Sequence, residues 1–129
     1  MQYTRIYSDK AGETHFASAT IDMRLIQFAP PAAPMATSPF TSATRVTFLA
    51  PAAGWYGEPH PTPARQLFLC LAGEWEVTVS DGEQRRFGPG SVVLLDDTTG
   101  NGHATRIVSD VDALAAMVQL PADAAIAAE

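Results

Sequence analysis

An all-β architecture, a sandwich or barrel of short antiparallel strands, is what this sequence predicts. Three observations carry that expectation. Stretches of β-favouring residues recur between turn signals, and no segment before the C-terminus repeats with a helical period. The stretch Glu74-Trp75-Glu76-Val77-Thr78-Val79 alternates strictly between polar and apolar side chains. Successive residues of an extended chain face opposite ways, so Trp75, Val77 and Val79 form a face to bury while Glu74, Glu76 and Thr78 face water.

The elements follow in order. TRIYS, HFASATI and MRLIQFA open the chain. The connection APPAAPMATSPF is too rich in proline for a central strand, because proline donates no ladder hydrogen bond. ATRVTFLA, RQLFLCLA and EWEVTVS come next. Ser80-Asp81-Gly82-Glu83 then makes a tight turn, in which Asp-Gly supplies the positive φ of a hairpin. QRRFG runs to a second turn at Gly88-Pro89-Gly90, and SVVLLD and HATRIVS follow. ALAAMVQL has the alanine content of a helix, but its place after so many strands favours a strand. The tail ADAAIAAE reads as a frayed end or a short helical turn. Many short strands without intervening helices indicate a sandwich or barrel. No internal repeat is visible, and residues 1–129 are expected to form one domain.

Composition narrows the function. With 129 residues, 47% hydrophobic and 17% charged, the chain can bury a real core. A formal charge of −6 disfavours nucleic acid and anionic membranes, both of which need a basic face. Cys70 is the lone cysteine, which rules out an intrachain disulfide, and inside LFLCLA it reads as a buried, inert thiol. The N-terminus has no apolar core of a signal peptide, and no apolar run nears the ~20 residues of a membrane span. The expected address is the cytoplasm.

The chemistry concentrates in GWYGEPHPTPARQLFLCLAG, Gly54 to Gly73. This segment resembles the first motif of the cupin superfamily: glycine, five residues, His-x-His, three or four residues, glutamate, six residues, glycine. Gly54, His60 and Gly73 match in register, while Thr62 stands where the second histidine would be and Gln66 where the glutamate would be. The segment Gly90 to His103 is similar to the second motif, without its Pro-x-Gly and with the histidine two residues late. Together the motifs span 54–109, with an arm of strands in residues 1–50 ahead of them. The resemblance implies a small single-domain bacterial cupin, a double-stranded β-helix or jelly-roll barrel open at one end, with any site inside. It also implies a homodimer, for which apolar N-terminal strands and a proline-rich arm offer material for exchange.

Within that frame, His60, Gln66 and His103 are the candidate metal ligands. Residues two apart on an extended segment share a face, which the flanking prolines favour, so Glu58 and Thr62 are expected beside His60. Glu58 is the candidate fourth ligand or general base. Two histidines and a carboxylate with open positions suit a non-haem Fe(II) site, and manganese, nickel or zinc are also candidates. The competing reading makes His60 and His103 ordinary hydrogen-bonding histidines at a barrel mouth. His15 is a further, less favoured candidate ligand folded over the mouth. Trp55, Tyr56 and Trp75 are candidate pocket aromatics, or else core or interface residues. Asp96 and Asp97, being neighbours on a strand, face opposite ways and read as the start of a turn. Arg24, Arg45 and Arg106 lie in predicted strands, where an inward one would suit an anionic substrate.

Two functions follow. One is a metal-dependent enzyme acting on a small organic molecule, by oxygenation, isomerisation, lyase chemistry or cyclisation. The other is a metal-free barrel that binds a small ligand without turnover. No nucleotide-binding loop or Ser-His-Asp motif is present.

Overall fold

The computed structural model describes residues 1–127 and contains twelve strands and no helix among them. They are β1 (Gln2–Ser8), β2 (Thr14–Thr20), β3 (Arg24–Ile26), β4 (Met35–Thr37), β5 (Arg45–Leu49) and β6 (Tyr56–His60). β7 (Gln66–Ala72), β8 (Trp75–Val79), β9 (Gln84–Phe87), β10 (Val92–Leu95), β11 (His103–Ile107) and β12 (Leu114–Gln119) complete the set. The all-β expectation holds, and ALAAMVQL is a strand. Accordingly, no helix among the described residues is long and apolar enough to cross a membrane.

Two sheets face each other. One has six strands in the order β2-β1-β10-β7-β12-β5, the other four in the order β6-β11-β8-β9. The pairing is antiparallel except that β1 runs parallel to β10, which the expectation of a purely antiparallel barrel missed. That pair is long-range, and nothing local in either strand encodes its direction. The alternation in β8 does its expected work: Trp75, Val77 and Val79 are buried and Glu76 and Thr78 are not. With Phe68, Val93, Leu95 and Met117 from the larger sheet they form the interior. Cys70 is buried there, and desolvation pushes its thiol above the ordinary value.

Of the expected arm, β1, β2 and β5 lie within the larger sheet. Only β3 and β4 stand apart, as a two-stranded ribbon pairing with itself. β4 falls inside the proline-rich connection, where an edge position spares it the ladder bonds that its neighbouring prolines cannot make. Ribbon and β5 alike are exposed to solvent.

Candidate functional site

The two sheets enclose a cavity of about 310 Å³, and His60, His103, Gln66 and Thr62 all line it. Their convergence has a structural cause. β11 lies between β6 and β8, and His103 is in register with both His60 and Val79. Val79 faces the core, so His103 does too. A bulge then separates the pair His103–His60 from the pair Thr105–Gly57, leaving Glu58 and Pro59 opposite Ala104 alone. A bulge of this kind resets side-chain alternation. His60 therefore points inward together with Gly57.

That bulge corrects two expectations. Glu58, expected to share the face of His60, is exposed and absent from the cavity lining. Tyr56 is turned outward as well, where the Arg106 guanidinium sits 4.6 Å above its ring. Trp55 does line the cavity, with its indole lying across Gly57, where a methyl group would come within 2.4 Å of the ring. Trp75 forms part of the wall, edge-on to Phe68 with ring centroids 4.9 Å apart.

The two imidazoles have ring centroids 5.7 Å apart. His103 Nδ1 lies 2.6 Å from Asp97 Oδ2, and His60 Nδ1 lies 2.8 Å from the Glu58 carbonyl oxygen. Carboxylate and carbonyl oxygens only accept, so each Nδ1 carries a hydrogen, and in the neutral ring it is Nε2 that holds the lone pair. Gln66 donates through Nε2 to Thr62 Oγ1 at 2.9 Å, which in turn donates to the Ala64 carbonyl. The Thr62 hydroxyl is thus spent within the wall, and the Gln66 amide oxygen is the group left for a ligand.

Asp97, expected from the sequence to start a turn, instead stands behind His103. It is fully buried, and its Oδ1 has no hydrogen-bond partner among the described residues. Its own carbonyl accepts from the Thr62 N–H at 3.0 Å, which ties the two motif segments together. The signal was available: Val93 and Leu95 face the interior, and two further residues along the same alternation reach Asp97. Asp96, facing the other way, is held by Arg5 at 2.9 Å and Arg65 at 3.0 Å.

His15 does not reach the cavity. Its two ring nitrogens lie 2.8 Å from Asp9 and 2.8 Å from Asp81, bridging the β1–β2 and β8–β9 turns. Those carboxylates, Asp9 foremost, push its pKa above the ordinary value. Arg24 and Arg45 are also away from the interior, paired with Asp22 and Gln119. No Lys, Arg, Asp or Glu among the described residues lines the cavity.

The comparisons with known proteins bear on the fold. A cupin 2 conserved barrel domain protein from Salinispora arenicola superposes with a TM-score of 0.50, covering 78% of this chain and 75% of its own at 22% identity. The fold is a small cupin barrel. Two further solved structures align with lower TM-scores. The Cnp3 cupin domain of Schizosaccharomyces pombe has a TM-score of 0.48 at 13% identity, covering 84% of this chain and 73% of its own. A conserved protein of unknown function from Streptococcus pyogenes has a TM-score of 0.46 at 25% identity, covering 63% of this chain and 71% of its own. No family model matches the chain, and no curated protein matches it.

The donor set of this cupin barrel can be weighed against a divalent ion. With metal–nitrogen bonds of about 2.1 Å, two imidazoles on one ion have centroids roughly 5–6 Å apart, which the His60–His103 pair meets. A carboxylate behind a ligating histidine is the usual supporting arrangement. As a carboxylate, Asp97 would also supply the negative charge that two imidazoles and an amide lack. Against the ion, no group of three His, Cys, Asp or Glu side chains forms a site among the described residues. The set fits an imidazole-preferring ion held by few protein ligands.

Proposed function

We propose that this cupin barrel is an enzyme that binds a small, largely apolar organic molecule. It acts on one polar group of that molecule at the His60–His103 pair. A divalent metal ion would be held there by the two Nε2 atoms and the Gln66 amide oxygen. The observation that carries this reading is the convergence of two imidazoles, both with Nδ1 engaged as donor, beside a buried carboxylate.

Each part of the chain has a task in this reading. Asp97 fixes the His103 ring and its tautomer, and the Glu58 carbonyl does the same for His60. Thr62 holds the Gln66 amide so that its oxygen is presented. Apolar side chains such as Ile6, Phe68 and Leu95 receive the body of the substrate and keep water from the reacting group. A bound ion would supply Lewis-acid activation of an oxygen on the substrate or on water. An exposed His60 at one end of the cavity suits entry from that side.

One observation favours the metal-free binding barrel as the second reading: the pair has no third charged or imidazole ligand. Metal analysis of gently purified protein, followed by zinc or cobalt titration of the stripped chain, separates the two. One ion per chain, lost in His60→Ala and in His103→Ala, supports the enzyme. Less than ~0.1 ion per chain and no saturable uptake would leave the binding barrel.

A further inference from the structure

Of the described residues that line the cavity, Thr47, Leu49, Trp55, His60 and Pro63 are exposed to solvent and the rest are buried or half-buried. All five belong to β5, to β6 or to the segments adjoining β6. β5 ends the larger sheet and β6 ends the smaller one, so the mouth of the cavity is the seam between those two edges. Trp55 stands at that mouth. Its backbone is fixed, because its N–H donates to the Ala52 carbonyl at 3.0 Å and its carbonyl accepts from the Ile107 N–H at 2.9 Å. The far end of its indole fills the space that a side chain on Gly57 would take, with the ideal methyl position 2.4 Å from the ring. Glycine at 57, which faces inward, is what lets the indole reach the cavity.

Yet Trp55 is 45% exposed. Elsewhere the large rings have partners: Trp75 meets Phe68, Phe87 meets Phe16, and the Arg106 guanidinium covers Tyr56. Neither a ring nor a cation lies against Trp55 among the described residues. Folding gains from a tryptophan mainly by burying it and pairing its ring. An indole fixed at the mouth of an apolar cavity, half in water and without a partner, is placed to receive a ring that arrives from outside. Strand spacing sets the other end of such a molecule. Gly57 and His60 are three residues apart, about 10 Å along a regular strand and less across the bulge. A molecule lying against Trp55 therefore reaches the His60–His103 pair through a chain of a few atoms.

We infer that the cavity selects molecules in which a flat aromatic ring is joined by a short chain to the polar group that meets the two histidines, and that Trp55 selects the ring. This rests on the reading of the cavity as a small-molecule site and is independent of whether a metal is bound. Any apolar body gains from the buried walls, aliphatic or aromatic alike. Only an aromatic ring gains the further ring-to-ring contact with the indole, which is about 2- to 12-fold in affinity.

Calorimetry of the full chain with 2-phenylethanol and with 2-cyclohexylethanol tests the selection. The two share a chain and a hydroxyl, and the saturated ring is at least as apolar, so burial alone gives the phenyl compound no advantage. The phenyl compound should bind about 2- to 12-fold tighter. It should also move tryptophan emission to shorter wavelength, as the ring displaces water from the exposed part of Trp55. In Trp55→Leu, which keeps the wall apolar, the emission shift should vanish and the two affinities should agree within ~1.5-fold. The circular dichroism of the sheet should be unchanged there, and Trp55→Phe should recover part of the preference. Gly57→Ala, which pushes the indole off its seat, should lower the preference as well. Equal affinities in the wild type, or a preference kept in Trp55→Leu, would overturn the selection while leaving an apolar small-molecule cavity. Binding of neither compound at ~10 mM would overturn it together with that reading of the cavity. Metal content enters none of these readouts, so the metal reading stands or falls separately.

Discussion

Gly102 lies so close to the His60 backbone that a methyl group on it would fall 2.0 Å from the His60 carbonyl carbon. That contact sets the site, because Gly102 precedes His103 and its closeness holds the two histidines at one end of the cavity. Its φ of +69° is a conformation that other residues adopt at a cost, and Thr14 Oγ1 donates to its carbonyl at 2.6 Å.

Gly102→Ala should therefore cost about 3 kcal/mol or more, through backbone clash and strain together. Urea denaturation gives the number, and a change under about 1 kcal/mol would mean that the His60 segment yields freely. Zinc or cobalt uptake should fall in the same variant, because the two imidazoles no longer share one position.

Asp97→Asn keeps the shape of the side chain and can still accept from His103 Nδ1, but it removes the charge. Zinc affinity measured by calorimetry should drop roughly 10- to 100-fold, with the fold intact. Unchanged affinity would make Asp97 a purely structural group. His103→Ala is a harsher change, since it leaves a fully buried carboxylate without its partner, at a cost of about 3 kcal/mol.

The His15 bridge predicts a pH window. The His15 pKa is raised by its bonds to Asp9 and Asp81. Its contribution is thus fully present below the ordinary 6.5 and is lost as pH rises through the raised value. Asp9 is lowered chiefly by His15, and Asp81 by the Glu83 backbone N–H and then His15. Their contribution is present above the ordinary 3.8 and lost as pH falls through the lowered values. The stability difference between wild type and His15→Gln should therefore be largest between 3.8 and 6.5 and fade toward alkaline pH. Asp9 and Asp81 are exposed and His15 is half-buried, so solvent screens the bridge and the effect is small and salt-sensitive. A difference that grows above neutrality would contradict the bridge.

Cys70 should react with a disulfide reagent at least ~100-fold faster in denaturant than in the native protein. Burial both hides the sulfur and disfavours its thiolate. Equal rates would mean that β7 opens readily.

The sequence by itself determined most of the strands, though not β4 or β6, together with the buried face of β8 and the two segments that carry His60, Gln66 and His103. These are period-two and turn signals, which a chain displays locally. It also marked the proline-rich connection, because composition survives without coordinates. Tertiary structure alone decided which side chains meet. The bulge opposite Ala104 turned Glu58 away from His60, and register between β6 and β11 is a property of two strands that neither contains. Parallel pairing of β1 with β10 and the placing of Asp97 behind His103 are likewise long-range. A two-residue alternation predicts a face, but whether that face meets a partner depends on the strand laid against it.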